Sequence, residues 1–173
     1  NYKTRDSEEI LVRSGVSLVD MAGARNNLKQ ELADPFGWDF EKVVDNARSV
    51  WDEYLGRIAI ETDDYLQKKK FYTNLYRALA AKATWSDADG RFVDEDERIR
   101  QLEKPDDCIV SGEYWNTFWN NQQLFNLMAP EISSQWARSA IQLYQNSGWF
   151  NTDPAGIEHT GVMVAMHPIS QIL

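Results

Sequence analysis

The feature that most constrains this chain is a succession of apolar stripes at helical spacing, each with its own start and stop signals. Val43, Ala47, Val50, Trp51, Tyr54 and Ile58 recur behind Asp39, the pattern of a helix that buries one face. An aspartate suits that first position because its carboxylate accepts backbone N–H groups that the opening turn leaves without partners. Asp20 stands in the same relation to "MAGARNNLKQEL", giving a short helix over 20–32. Asp63 or Asp64 opens a third helix, to about Ala81, with Leu66, Phe71, Leu75 and Leu79 on its buried side. Residues 113–128 read as a fourth. Pro130 starts a fifth, in which Ile132, Trp136, Ala140 and Leu143 share a face and Gly148 follows the end. A sixth is expected from near Thr160.

Two segments depart from this pattern. "EILVRSGVSLV" (9–19) is rich in β-branched residues and reads as one strand. A lone strand cannot satisfy its own backbone, and the rest of the chain offers few partners. Residues 84–112 are polar, acidic and rich in turn formers, which predicts a long loop carrying a hairpin or short strands. The chain opens on "NYKTRDSEE" and stops at "HPISQIL" within an apolar pattern, so it is expected to be an excerpt of a longer polypeptide. The architecture that follows is an all-α assembly with a β element at its front.

Composition narrows the partners. The 173 residues carry a net charge of −9, whereas a nucleic-acid partner calls for a basic footprint. The one basic run, "KKK" at 68–70, reads as the solvated face of the third helix. A single cysteine, Cys108, excludes an internal disulfide and a cysteine-rich zinc site. No apolar run reaches the ~18–20 residues of a membrane span. Seven tryptophans are the anomaly, since aromatic rings gather at ligand sites and interfaces as well as in cores.

Several motifs bear on chemistry. "YWNTFWNNQQLF" (114–125) has no charged residue yet is dense in amides. At helical spacing Asn116, Asn120 and Gln123 form one stripe beside Trp115, Phe118 and Trp119. Buried amides need partners. A polyhydroxylated ligand is one, because amides donate to and accept from hydroxyls while an indole face covers sugar C–H surface. A helix–helix interface closed by amide pairs is the other. "SDADGR" (86–91) fails as a calcium loop, with Trp85 where an oxygen ligand belongs, and reads as a tight Asp-Gly turn before a strand. Glu158 sits between "PAG" and an apolar run. There it is either a general acid held protonated by partial burial or a first-turn carboxylate for the helix that follows. His159 and His167 make no HExxH pattern, and no nucleotide-binding or serine-hydrolase signature is present.

Taken in order, "VRSGVSLVDMAGARNNLKQEL", "FEKVVDNARSVWDEYLGRIAIE", "KKKFYTNLYRALAA", "SDADGRF", "YWNTFW" and "GIEHTGVMVAMH" resemble one family over nearly the whole chain. That family is glycoside hydrolase family 92, the calcium-dependent exo-acting α-mannosidases. The resemblance implies an N-terminal β-sandwich, linking helices and an (α/α)6 toroid, with the site between the two domains. On this chain it implies that residues 1–19 are the last strand of the sandwich, 20–61 the linking helices and 62–173 the first part of the toroid.

The same resemblance implies an inverting hydrolysis of terminal α-mannosides and a secreted or periplasmic protein. It assigns Glu158 as general acid and Trp115, Asn116, Trp119 and Asn120 as glycan-binding residues. The general base and most calcium ligands would come from the remainder of the polypeptide, leaving no metal ligand assigned here. Two departures stand out. The family shows Trp-Asp-Thr with an arginine soon after, whereas this chain has Trp115-Asn116-Thr117 with Trp119 near the arginine's place. The spacing from Glu158 to Met163 and His167 is one residue longer than in the family, and Ala165 replaces a glycine. These changes point to a divergent subgroup, which leaves open a different α-linked sugar or a helical module without chemistry.

Overall fold

The computed structural model describes residues 3–80, 82–104, 107–111, 114–150 and 166–173. Helices dominate, as the periodicity predicts. Helix α1 (Met21–Asn27) starts at Asp20, whose carboxylate accepts the Gly23 N–H at 2.6 Å. It continues through a π-helical turn (Leu28–Ala33) into α2 (Asp34–Phe36) and stops at Gly37. There φ is +57°, a conformation that side chains with a Cβ rarely adopt. Helix α3 (Phe40–Leu55) is capped by Asp39, and α4 (Tyr65–Leu79) by Asp64, which accepts the N–H groups of Leu66 and Gln67. Arg57 then binds the end of α3 to the next layer, donating to the Met128 carbonyl at 2.8 Å and to Glu131.

Residues 9–19 do not form the expected strand. Among the described residues nothing offers them a ladder, and an extended segment without one is not a strand. Its apolar side chains stay in solvent, Val12 at 83% and Val16 at 76% exposure.

The polar stretch after α4 folds as two short antiparallel pairs. Strand β1 (Ala83–Thr84) pairs with β4 (Val110–Ser111), and β2 (Arg91–Val93) with β3 (Ile99–Gln101). Asp87–Gly90 makes the turn into β2, with Gly90 at φ +80° donating to the Asp87 carbonyl. At the far end of the hairpin the buried Asp94 carboxylate accepts the N–H groups of Asp96 and Arg98 and the Arg100 guanidinium. Burial pushes this carboxyl up, but the Arg100 bond and the two backbone donors outweigh it and hold the group below its ordinary 3.8.

The second correction concerns 113–128. One helix was expected; the structure has α5 (Tyr114–Thr117) and α6 (Asn121–Met128), separated by a turn at 118–120. Asn120 leaves the helical region at φ −155°, and the Gln123 side chain takes up the Phe118 carbonyl at 3.1 Å. Amide side chains compete for backbone groups in this way, which makes them poor helix propagators. Helix α7 (Pro130–Ser147) behaves as read, from Pro130 to the left-handed Gly148. The predicted start of a sixth helix near Thr160 lies outside the described residues; α8 (His167–Ile172) is the described helix of that region.

The core runs along α7. Leu75, Leu79, Phe125, Met128 and Ala129 join α4, α6 and the start of α7, with Trp51, Tyr54 and Ile58 of the α3 region packed alongside. Phe92, Leu102, Ile109 and Leu143 bury the hairpin against α7. Val110, Tyr114, Trp136 and Ala140 join β4 and α5 to it. The stripe on α3 is only half-buried by the described residues, with Val50 45% exposed.

A polar latch joins the N-terminal segment to the turn before β2. The Asp87 side chain is 2% exposed; its oxygens accept Ser17 Oγ and Asn27 Nδ2, both at 2.8 Å. Asn27 also donates to the Val16 carbonyl and accepts the Ala88 N–H. Gly23 is required beneath it, since a Cβ there would lie 2.1 Å from the Asp87 carboxylate. Asn27→Ala strands a buried carboxylate oxygen and backbone groups, each costing about 1–3 kcal/mol, so urea unfolding should show a loss of at least about 2 kcal/mol.

Asp94 sets a pH dependence of known sign. A carboxyl depressed in the folded state adds stability above its unfolded value and loses that contribution as pH falls through the folded value. Below the ordinary 3.8 the protein should therefore destabilise with a contribution that Asp94→Asn removes, read as a shallower acid limb in unfolding curves.

Candidate functional site

The aromatic and amide run resolves into a shelf built by α5, the turn after it and α8. The helix break decides which side chains meet there. Trp115 lies on α5, and the turn places Phe118 over the His167 ring, stacked at 3.9 Å between centroids and 13° between planes. Trp115 meets the same imidazole edge-on at 5.1 Å. Trp119 packs against Phe118 at 4.4 Å yet remains 67% exposed. Such a ring presents a free face to solvent, the geometry that stacks on an apolar ligand surface.

The amides divide into two groups. Buried ones serve the fold: Gln122, 3% exposed, accepts Ser170 Oγ at 3.0 Å and so ties α6 to α8. Gln171 donates to the carbonyl and hydroxyl of Ser133, whose hydroxyl in turn reaches Asn126. Gln135 donates to the Cys108 carbonyl. The exposed ones, Asn116 and Asn120, border the aromatic shelf. The single stripe of Asn116, Asn120 and Gln123 does not exist, because the turn at 118–120 interrupts the helical phase that would align them. The interface reading thus applies to Gln122 of this run, which is buried and bonded to α8.

Of the residues singled out in the sequence, the structure brings Trp115 and Trp119 into one aromatic group. Asn116 and Asn120 are exposed. Glu158 and His159 lie outside the described residues. The sequence does not reveal His167 as the ring that joins Trp115 to Phe118; there it stands out only against the HExxH pattern and in the spacing from Glu158. Its one available signal was position: His167 directly precedes Pro168, and proline suits the first turn of a helix. Gln122 Nε2 and His167 Nε2 are buried without a hydrogen-bond partner among the described residues.

Among the described residues, the shelf offers aromatic and amide surface but no proton-transfer pair. Cys108 lies on the neighbouring loop, and burial raises its thiol above the ordinary range, which disfavours the thiolate a nucleophile requires. Among the described residues, no three His, Cys, Asp or Glu side chains converge to hold a metal ion. No helix is long and apolar enough to cross a membrane among the residues described. What the arrangement offers is an aromatic platform with an amide rim, suited to a neutral polyhydroxylated ring.

Comparison with known proteins places this geometry in context. The family model described as "Glycosyl hydrolase family 92 catalytic domain" matches residues 23–173. A family GH92 α-mannosidase from Bacteroides thetaiotaomicron is similar in structure, with a TM-score of 0.77 and 27% identity over 90% of this chain. A family GH92 inverting mannosidase from the same organism gives a TM-score of 0.73 and 28% identity over 90% of this chain. A protein of Arthroderma benhamiae named "Uncharacterized secreted glycosidase" is 33% identical over 73 residues, 40% of this chain and 9% of its own length. The chain spans only 20% and 21% of the two solved mannosidases.

The two tryptophans at the ends of the burial scale give a test of the shelf. Trp136 has 0% exposure, and Trp136→Ala should cost about 3–5 kcal/mol. Trp119→Ala should change stability by no more than about 0.5 kcal/mol, as measured by urea unfolding. A large loss at Trp119 would make it a packing residue rather than an open face.

Proposed function

The chain belongs to glycosyl hydrolase family 92, and from that premise we propose that the protein containing it releases terminal α-linked mannose with inversion. The observation that carries the reading is the family match over 23–173 together with the likeness to a solved α-mannosidase across 90% of the chain. A second solved relative is named as an inverting mannosidase, which supports the stereochemistry. In this proposal residues 1–19 belong to a preceding β-sandwich, 20–61 link it to the catalytic domain, and 62–173 begin an (α/α)6 toroid. The unpaired, exposed apolar segment before α1 is consistent with such a sandwich partner. The name of the fungal relative supports export from the cell.

In an inverting glycosidase one carboxylic acid protonates the leaving oxygen while a carboxylate activates water on the opposite face. Glu158 is proposed as the acid. Trp115 and Trp119 would cover the C–H surface of the sugar, with Asn116 and Asn120 exchanging hydrogen bonds with its hydroxyls. The general base would come from the remaining polypeptide. Calcium is the metal the resemblance implies. No carboxylate cluster converges on one point among the described residues, and in this proposal most of the calcium ligands come from the rest of the protein.

A second reading has its own observation. Asn116 and Trp119 stand where the family carries an aspartate and an arginine, so a neutral amide and an indole replace two charges. That exchange favours a related glycosidase with a different α-linked sugar. A panel of aryl α-glycosides, assayed with the complete protein, separates the cases. Release of mannose supports the first, release of another sugar the second, and no release of any sugar defeats both.

Glu158→Gln in the complete protein tests the acid. It keeps shape and hydrogen bonding but removes the transferable proton, a change that costs about 10²–10⁴-fold in rate. The loss should be smallest on glycosides with good leaving groups, which need little protonation. Equal loss on activated and unactivated substrates, or earlier melting alone, would return Glu158 to the role of a first-turn carboxylate.

A further inference from the structure

A second cavity, of about 430 Å³, lies between the N-terminal segment and the turn before β2. Its lining includes one indole, Trp85, the aliphatic Val16 and Leu18, and the polar side chains of Ser17, Asn27, Glu31 and Asp87. No lysine or arginine lines it. The volume falls within the range of small-molecule sites. The polar latch described above makes the Asp87 side rigid: Ser17 Oγ and Asn27 Nδ2 each hold one carboxylate oxygen. Trp85 is held from its backbone, its N–H donating to the Ile109 carbonyl at 2.8 Å. Glu31, on the π-helical turn, is exposed and makes no hydrogen bond or ion pair among the described residues. A rigid floor, an aromatic wall and a free acceptor at the rim make a built site rather than a packing gap.

The chemistry of the lining selects its ligand. Asp87 is already paired with the Arg91 guanidinium at 3.9 Å, which leaves the Glu31 carboxylate to repel phosphate, sulfate or uronate groups. A bound cation is disfavoured as well, because both Asp87 oxygens already accept protein donors and hard cations take about six or more oxygen ligands. A neutral ring with hydroxyl donors and an apolar face fits each wall. The position adds a second constraint. Thr84 pairs with Val110 of β4, and five residues further along the chain stands Trp115. Five residues span at most about 17 Å, a reach within the length of an oligosaccharide.

We propose that this cavity is an outer subsite, binding a neutral hexose unit on the leaving-group side of the glycan, with Trp85 as its stacking residue and Glu31 as a hydroxyl acceptor. The inference rests on the glycosidase reading. It names residues outside the aromatic shelf as determinants of preference for extended glycans over single sugars.

The test uses the complete enzyme with an aryl α-mannoside and an α-linked mannotriose. Trp85→Ala should lower kcat/KM for the trisaccharide by about tenfold or more, the scale of a lost apolar contact in a binding pocket, and by far less for the aryl mannoside. Glu31→Gln, at an exposed position that folding does not depend on, should give a smaller loss with the same selectivity. Equal losses on both substrates, or none on either, overturn the subsite. If the unaltered enzyme fails on the aryl mannoside, it is the mannosidase reading that fails. Calorimetric titration with the trisaccharide then decides the cavity by itself: affinity that Trp85→Ala weakens about tenfold upholds it, and affinity that is absent or unchanged refutes it.

Discussion

The fold depends on the burial of one indole. Trp136 has no exposed surface, and each neighbouring element is positioned by contact with it. Tyr114 stacks on it at 4.9 Å from α5, and Phe125 meets it edge-on at 6.3 Å from α6. The Lys82 ammonium lies 3.2 Å from the ring centroid just before β1, a cation–π arrangement strengthened by exclusion of water. Close-packed interiors tolerate little displacement. The place of α5 is therefore set from α7, and with it the aromatic shelf that α5 carries.

This dependence links the core to the proposed chemistry. Ser139, also on α7, accepts the Val110 N–H at 2.9 Å and fixes β4, the strand that leads into α5. The same β1–β4 pair borders Trp85 and the cavity beside it. Core, shelf and cavity thus share one strand-to-helix segment. The buried amides Gln122, Gln135 and Gln171 complete the frame by joining the loop and α8 to the helices, while the exposed Asn116 and Asn120 are left to face outward.

The polar latch has a different role. It holds residues before the catalytic-domain match, which begins at residue 23, against a turn inside it. Asp20 contributes twice, capping α1 and pairing with Arg91 at 2.9 Å. The Gly23 N–H and the Arg91 guanidinium together keep its carboxyl below the ordinary range. A segment whose apolar side chains remain exposed is still anchored at its far end.

The caps and the buried face of α7 were legible in the sequence because they are local: an aspartate three residues from an N–H, a stripe at fixed spacing, a glycine where φ turns positive. Resemblance to a family could also be read directly, since it rests on the order of motifs. The break at 118–120 was not legible, because it depends on Gln123 reaching a particular carbonyl rather than on any breaker residue. Nor were the joining of Trp115 and Phe118 by His167, the Asp87–Ser17–Asn27 latch or the cavity beside Trp85. Those partners stand up to 70 residues apart, and no periodicity connects them. The sequence by itself determined where most helices begin and which face of α7 is buried, since both follow from spacing along one chain. Only the tertiary structure decided which amides are buried and which remain exposed, since that depends on what each helix meets after it has folded.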